Sequence, residues 1–190
     1  MDQFVDPSVS KAKFERQVTA FQKLEADYGK RGCWIAKAEF PQVFALFATP
    51  KLKPPSLVFG ALIDFTNYDM WAPSVRLVDP FTREPYIFSL LPTNLNRLVS
   101  TSNPGERAIQ PLMQATNPNE IPFLCIPGVR EYHENPGHTG DSWLLHRNGT
   151  EGTLFFIVEQ LLKYGIEPLA GYEMGLKVSV SGYNQAVIPE

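Results

Sequence analysis

Cysteine is scarce in this sequence: Cys33 and Cys125 are its only two. That excludes a scaffold built on several disulfides, and in a chain with no secretory signal reduced thiols are expected. Basic charge is not in surplus either. Seventeen Lys and Arg stand against twenty Asp and Glu, a formal net charge of −3, whereas a phosphate-dominated partner wants a basic surface. No nucleic acid is therefore expected among the partners. No apolar run approaches the ~18 residues needed to span a bilayer. The start, MDQFVDPSVSKAKFERQ, has no basic leader followed by an apolar stretch. The expectation is a cytoplasmic protein with no membrane partner. Internal repeats, low-complexity tracts and dividing linkers are lacking as well, so residues 1–190 are read as one domain.

Against these absences, a hydrophobic content of 44% and a charged content of 19% are globular values. Phe14, Val18, Phe21, Leu24 and Tyr28 recur at three- and four-residue spacing and predict an amphipathic helix over 10–28. Ser10 is its expected cap and Gly29 its stop. CWIAKAEF, QVFALFAT and SLVFGALIDF follow as strand-like runs, with a short strand at Val75 to Val78. The links are too short for helical crossovers, so the sheet should be a four-stranded antiparallel meander. From Arg83 to Asn119 the pattern weakens into an irregular excursion with room for one or two short helices. Leu154, Ile157, Val158, Leu161 and Leu162 predict a second helix over 153–164, capped by Thr150 or Thr153 and ended by Gly165. The tail LKVSVSGYNQAVIPE can add an edge strand. The fold class is α+β, with Phe59, Leu62, Val75 and Leu77 meeting the apolar stripe of the second helix in the core.

The chemistry concentrates between Cys125 and His146. All three histidines, His133, His138 and His146, lie there beside Cys125, Glu131, Glu134 and Asp141. Cys33, in the apolar run CWIA, reads instead as a small buried hydrophobe. Imidazole, thiolate and an occasional carboxylate are the ligands that zinc or a similar divalent ion prefers. If the stretch is extended, Glu131 and His133 leave on one face, and Asn135-Pro136-Gly137 permits a turn returning His138 toward them. Expected distances are ~2.0–2.1 Å to nitrogen and ~2.3 Å to sulfur, with Cys125 or His146 completing the set. Glu134 and Asp141 read as surface or turn residues. A reactive thiol is the other chemistry open to Cys125, since a nearby histidine or cation makes a cysteine nucleophilic.

The order of elements resembles the ubiquitin-conjugating-enzyme (UBC) fold: an N-terminal helix, a four-stranded antiparallel meander, an irregular flap with a cysteine, then a Trp and a C-terminal helix. LIDFTNYDMWAPSVRLVDP resembles the family's Tyr-Pro turn, with Tyr68 and Pro73 in those places. Asn117-Pro118-Asn119 resembles the His-Pro-Asn motif upstream of the catalytic cysteine, and TLFFIVEQLLKYGIEPLAGY the helix and exit after it. The resemblance covers roughly residues 10 to 172. It implies Cys125 as the thioester-forming residue and Asn119 as the oxyanion donor. The motif departs from the family's in its first position, Asn117, and in a gap to the cysteine about two residues short. The His-rich loop at 125–146 is similar to a bacterial family named for a Cys-Glu-His-His signature, described as metal-binding and found with ubiquitin-like conjugation genes. On this chain the signature falls on Cys125, Glu131, His133 and His138.

The two resemblances assign Cys125 differently, and a metal-bound thiolate is a poorer nucleophile than a free one. The first expectation is a component of a bacterial ubiquitin-like conjugation pathway, partnered by a ubiquitin-like protein and its activating enzyme. It would carry the modifier on Cys125, with Asn119 at the oxyanion and Glu131 or His133 serving the acceptor. The alternative is a non-catalytic metal-binding variant of the same fold, acting as a partner protein in that pathway. A metal-dependent hydrolase using Glu131 as base is a third.

Overall fold

The computed structural model describes residues 4–103 and 105–171. Helix α1 spans Pro7–Gln22, with Pro7 in its first turn and Asp6 as cap, accepting from the Ser8 amide at 2.9 Å. Ser10, the expected cap, lies inside the helix and is fully buried. The apolar stripe expected over 10–28 divides at Lys23 and Leu24, and a second helix, α2, runs Glu25–Arg31. The break lets Tyr28 stack on Phe21, ring centroids 4.5 Å apart. The stop is Gly32 rather than Gly29. Its φ is 97°, and a Cβ there would lie 2.2 Å from the Ala48 carbonyl oxygen, so the helix end closes directly on the sheet.

The sheet is the expected antiparallel meander: β1 Cys33–Glu39, β2 Gln42–Thr49, β3 Ser56–Asp64 and β4 Ser74–Val78, in that order. Phe47 lies opposite Phe59, Ala45 opposite Ala61, and Ile63 opposite both Val43 and Val75. These side chains share one face and are fully or almost fully buried. Leu62 is different. Alternation along β3 sends it to the other face, opposite Phe44 and Arg76, where it is only partly buried.

Helix α5, Leu154–Leu161, lays Leu154, Ile157, Val158 and Leu161 into this core. Thr153 caps it, its hydroxyl accepting from the Phe156 amide at 3.2 Å. The helix then widens into a single π turn, Leu162–Ile166, which takes in Gly165. A Cβ on Gly165 would stand 3.1 Å from the Phe59 ring, so the turn rests on β3. Arg31 ties α2 to this end of the fold, meeting Glu159 at 2.6 and 3.0 Å and Glu167 at 2.9 Å.

The excursion holds a ribbon rather than helices. One 3-10 turn, Phe88–Leu90, precedes β5 Asn96–Ser100 and β6 Arg107–Pro111, which pair antiparallel. The alternation of Arg97, Leu98 and Val99 with Ala108, Ile109 and Gln110 is strand chemistry, interrupted in the sequence by a polar turn. Leu98 and Ile109 face one another and are exposed. A two-residue pair, β7 Met113–Gln114 with β8 Phe123–Leu124, then delivers the chain to Cys125. The tail expected to form an edge strand lies outside the described residues. No helix among the described residues is long and apolar enough to cross a membrane.

Candidate functional site

The segment after β8 is folded, not extended. It contains α3 Arg130–Glu134, a 3-10 turn Pro136–His138 and α4 Trp143–His146. Cys125 is fixed by its amide, which donates to the Leu112 carbonyl at 2.7 Å. The 3-10 turn, capped by Asn135 onto the Gly137 amide at 2.8 Å, brings His138 Nε2 to 3.2 Å from Cys125 Sγ. Tyr132 stacks on the far side of that imidazole, ring centroids 3.9 Å apart. Burial pushes the Cys125 thiol above its ordinary pKa, and the Arg97 guanidinium opposes the shift. Arg97 is itself held across the ribbon by Gln110 at 2.8 Å.

The other two histidines gather around Asp141. One carboxylate oxygen meets His146 Nε2 at 2.6 Å and the other accepts from the Tyr132 hydroxyl at 2.7 Å. These bonds hold the carboxyl below its ordinary pKa, while burial and Asp141 push Tyr132 up to about 12. His133 has both ring nitrogens committed to backbone. The Gly128 amide donates to Nε2 at 2.9 Å, which leaves Nδ1 to carry the proton and donate to the Asp141 carbonyl at 2.8 Å. Burial lowers the His133 pKa, in keeping with this neutral tautomer. Asp141, read from the sequence as a turn residue, is thus the hub of the loop.

Glu131 leaves in the opposite direction. Residues two apart on a helix point about 200° apart, so α3 separates Glu131 from His133, where an extended chain would have placed them together. Glu131 instead accepts from the Ser74 hydroxyl and pairs with Arg76 at 3.1 Å, both on β4. Asn119 lies in an exposed turn, its amide donating to the Asn117 side chain at 3.0 Å. Among the described residues no hydrogen bond links it to Cys125 or His138. The structure therefore brings together Cys125 with His138, and His133 with His146, but not Glu131 or Asn119 with either pair.

Among the described residues no three of these side chains converge as a metal-binding group. A four-ligand set drawn from Glu131, His133, His138 and Cys125 would require His133 to release a backbone bond and Glu131 to leave Arg76. As arranged, donor atoms stand side by side in two pairs, Cys125 with His138 at 3.2 Å and Asp141 with His146 at 2.6 Å. Beside them lies a cleft of about 550 Å³ lined by Trp71, Pro136, His138 and Leu144, among others.

Arg130 and Tyr132, which carry no sequence signal, and Trp143, marked only by its place ahead of the last helix, hold the site in place. Arg130, buried at the start of α3, donates to the Ala72 carbonyl at 3.0 Å and the Thr66 carbonyl at 2.8 Å, and its amide reaches Pro73 at 2.9 Å. Trp143 donates to the Asp69 carbonyl at 2.8 Å. Tyr132 bridges His138 and Asp141. Their partners are backbone carbonyls in distant parts of the chain or side chains of the irregular loop, so neither periodicity nor spacing marks these contacts.

The fold and site define an α+β protein with a buried cysteine against a half-buried histidine beside the end of an antiparallel sheet. Residues 5–169 match the Y4jH family, and the chain belongs to it. A curated relative, the "Uncharacterized protein y4jH" of Sinorhizobium fredii (strain NBRC 101917 / NGR234), is 42% identical over 191 residues, covering 95% of this chain and 93% of the relative.

Proposed function

We propose that this protein is a ubiquitin-conjugating-enzyme-like carrier in a bacterial pathway, holding a ubiquitin-like protein as a thioester on Cys125. The observation that carries this reading is the 3.2 Å approach of His138 Nε2 to Cys125 Sγ. A neutral thiol is a weak nucleophile, and a base within hydrogen-bond reach makes it an effective one. The helix, meander, cysteine flap and C-terminal helix support the same reading by resemblance, which is a warrant about fold more than about chemistry.

In this reading the modifier arrives as a thioester on its activating enzyme. Cys125 Sγ attacks the thioester carbonyl carbon while His138 Nε2 takes the thiol proton. The new S–C bond forms, the old C–S bond breaks, and the leaving thiolate receives the proton. An acceptor amine then attacks the Cys125 thioester: its N–C bond forms, the Cys125 S–C bond breaks, and the amine's proton passes through His138 to the sulfur. Cys125 is 5% exposed, so charging requires the turn at Pro136–His138 to move aside. Asn119, the oxyanion donor that the resemblance implies, would have to approach in the same movement.

One feature favours a second reading, a non-catalytic zinc-binding partner protein. Two ligands of a tetrahedral zinc ion stand ~3.5 Å apart, close to the 3.2 Å between Cys125 Sγ and His138 Nε2. One experiment separates the two. The purified chain is incubated with a ubiquitin-like protein, its activating enzyme and ATP, and its metal content is measured in parallel. A thiol-sensitive adduct that Cys125→Ser converts to a stable ester or abolishes supports the carrier. Equal charging of Cys125→Ala ends that reading. A stoichiometric metal lost on Cys125→Ser, with no adduct, establishes the second.

A further inference from the structure

A second cleft, of about 840 Å³, lies between α1, the turn at 147–153 and the start of α5, within the ~300–1,000 Å³ usual for small-molecule sites. Three cations line it: Lys13 and Arg16 on one side of α1, and Arg147 on the opposite wall. So do two acids, Asp69 and Glu159, but each already holds a cation. Asp69 pairs with Lys13, and Glu159 with Arg31. Among the described residues Arg16 and Arg147 meet no carboxylate, in a chain whose net charge is −3.

Arg147 is the more telling of the two. One terminal nitrogen rests on the Met70 sulfur at 3.4 Å, a weak acceptor, and its Nε is buried with no hydrogen-bond partner among the described residues. A buried guanidinium donor left unmade is costly, so Arg147 is poorly satisfied where it stands. The wall between the arginines is fixed. Gln17 accepts from the Leu154 amide at 2.6 Å and donates to the Tyr68 hydroxyl at 2.8 Å. Phe155 and Phe156 add aromatic surface to the lining.

We propose that this cleft binds a small phosphorylated organic ligand, its phosphate held between Arg16 and Arg147 and its apolar part against Phe155 and Phe156. Arginine suits this task because its fork of donors matches phosphate oxygens two at a time. The site is separate from Cys125 and does not depend on the carrier reading. Calorimetric titration of the full chain with phenyl phosphate at low salt tests it. Saturable one-site binding is expected, weakened about tenfold by Arg16→Gln and by Arg147→Gln, with the fold of each variant checked by circular dichroism. Arg16 is exposed, so Arg16→Gln keeps the test decisive if the Arg147 variant misfolds. Lys51→Gln, on a remote surface, should leave affinity unchanged. Failure to saturate into the millimolar range overturns the proposal. So does equal binding by the Arg16→Gln variant, or an equal loss in Lys51→Gln, which would mark diffuse attraction.

Discussion

Gly128 and Gly152 meet backbone to backbone. A Cβ on Gly128 would lie 2.3 Å from the Gly152 amide nitrogen, and one on Gly152 would lie 2.9 Å from the Gly128 carbonyl oxygen and 2.6 Å from the Trp143 ring. Both residues have positive φ, 89° and 68°. The turn leading into α3 thus docks on the turn leading into α5, and only glycine fits either position. Gly152→Ala should cost ~2–4 kcal/mol in urea unfolding, from backbone strain and overpacking together. Gly105 also has positive φ, 82°, but among the described residues a Cβ there meets nothing within 4 Å, so Gly105→Ala should cost only ~1–2 kcal/mol. Equal losses would show that packing at Gly152 contributes nothing.

His133 makes stability depend on pH. Its folded-state pKa lies below that of an ordinary histidine, chiefly through burial, and a proton on Nε2 would confront the Gly128 amide. As pH falls below about 6.5 the unfolded chain binds the proton first, so stability falls until the folded pKa is passed. Above that window this histidine contributes no slope. Urea midpoints between about pH 7.5 and about pH 5 should fall more steeply for the wild type than for His133→Asn. Parallel curves would contradict this account.

Arg130 serves buried carbonyls. Arg130→Ala strands the oxygens of Thr66 and Ala72 and removes the cation placed 5.3 Å from the Trp71 ring centroid. A loss of ~3 kcal/mol or more is expected. Arg130→Lys should recover only part of it, since one ammonium cannot reproduce the planar fork. Full recovery by lysine would mean that charge alone matters.

Arg97 restrains the upward shift of the Cys125 thiol. Arg97→Gln should therefore move the pH–rate profile for iodoacetamide labelling of Cys125 to higher pH. Cys33 gives no background, because it is fully buried with its thiol pushed up to about 12. An unshifted profile would remove Arg97 from the site.

Much of the scaffold was legible because it is local. The apolar stripe of α5 and the runs of β1 to β4 carry their own periodicities, and a meander needs only short links. The misreadings came where tertiary contact decides. The expected long helix breaks where Tyr28 turns to stack on Phe21, and its stop moves to the glycine that closes on Ala48. Leu62 belongs to the same strand as Phe59 but to the opposite face. At the site, the clustering of three histidines pointed to residues 125–146, but the turn at Asn135-Pro136-Gly137 brings His138 against Cys125 rather than back toward Glu131 and His133. What misled was the assumption of an extended backbone: as a helix, α3 sends Glu131 to Arg76 and His133 to Asp141. The Trp ahead of the last helix was visible in the sequence, but the partners of Trp143 and Arg130 were not, because they are carbonyls, which every residue has.

Those carbonyls also impose an order of folding. Trp143 reaches back 74 residues to Asp69, and Arg130 reaches back 64 to Thr66. During synthesis the meander is complete before residues 125–146 exist, and such long closures form late because their loop entropy must be overcome first. The nascent Cys125 is accordingly an open thiol, without His138 or Tyr132 beside it. It gains both its cover and its base only once Arg130 and Trp143 have reached the carbonyls of Thr66 and Asp69.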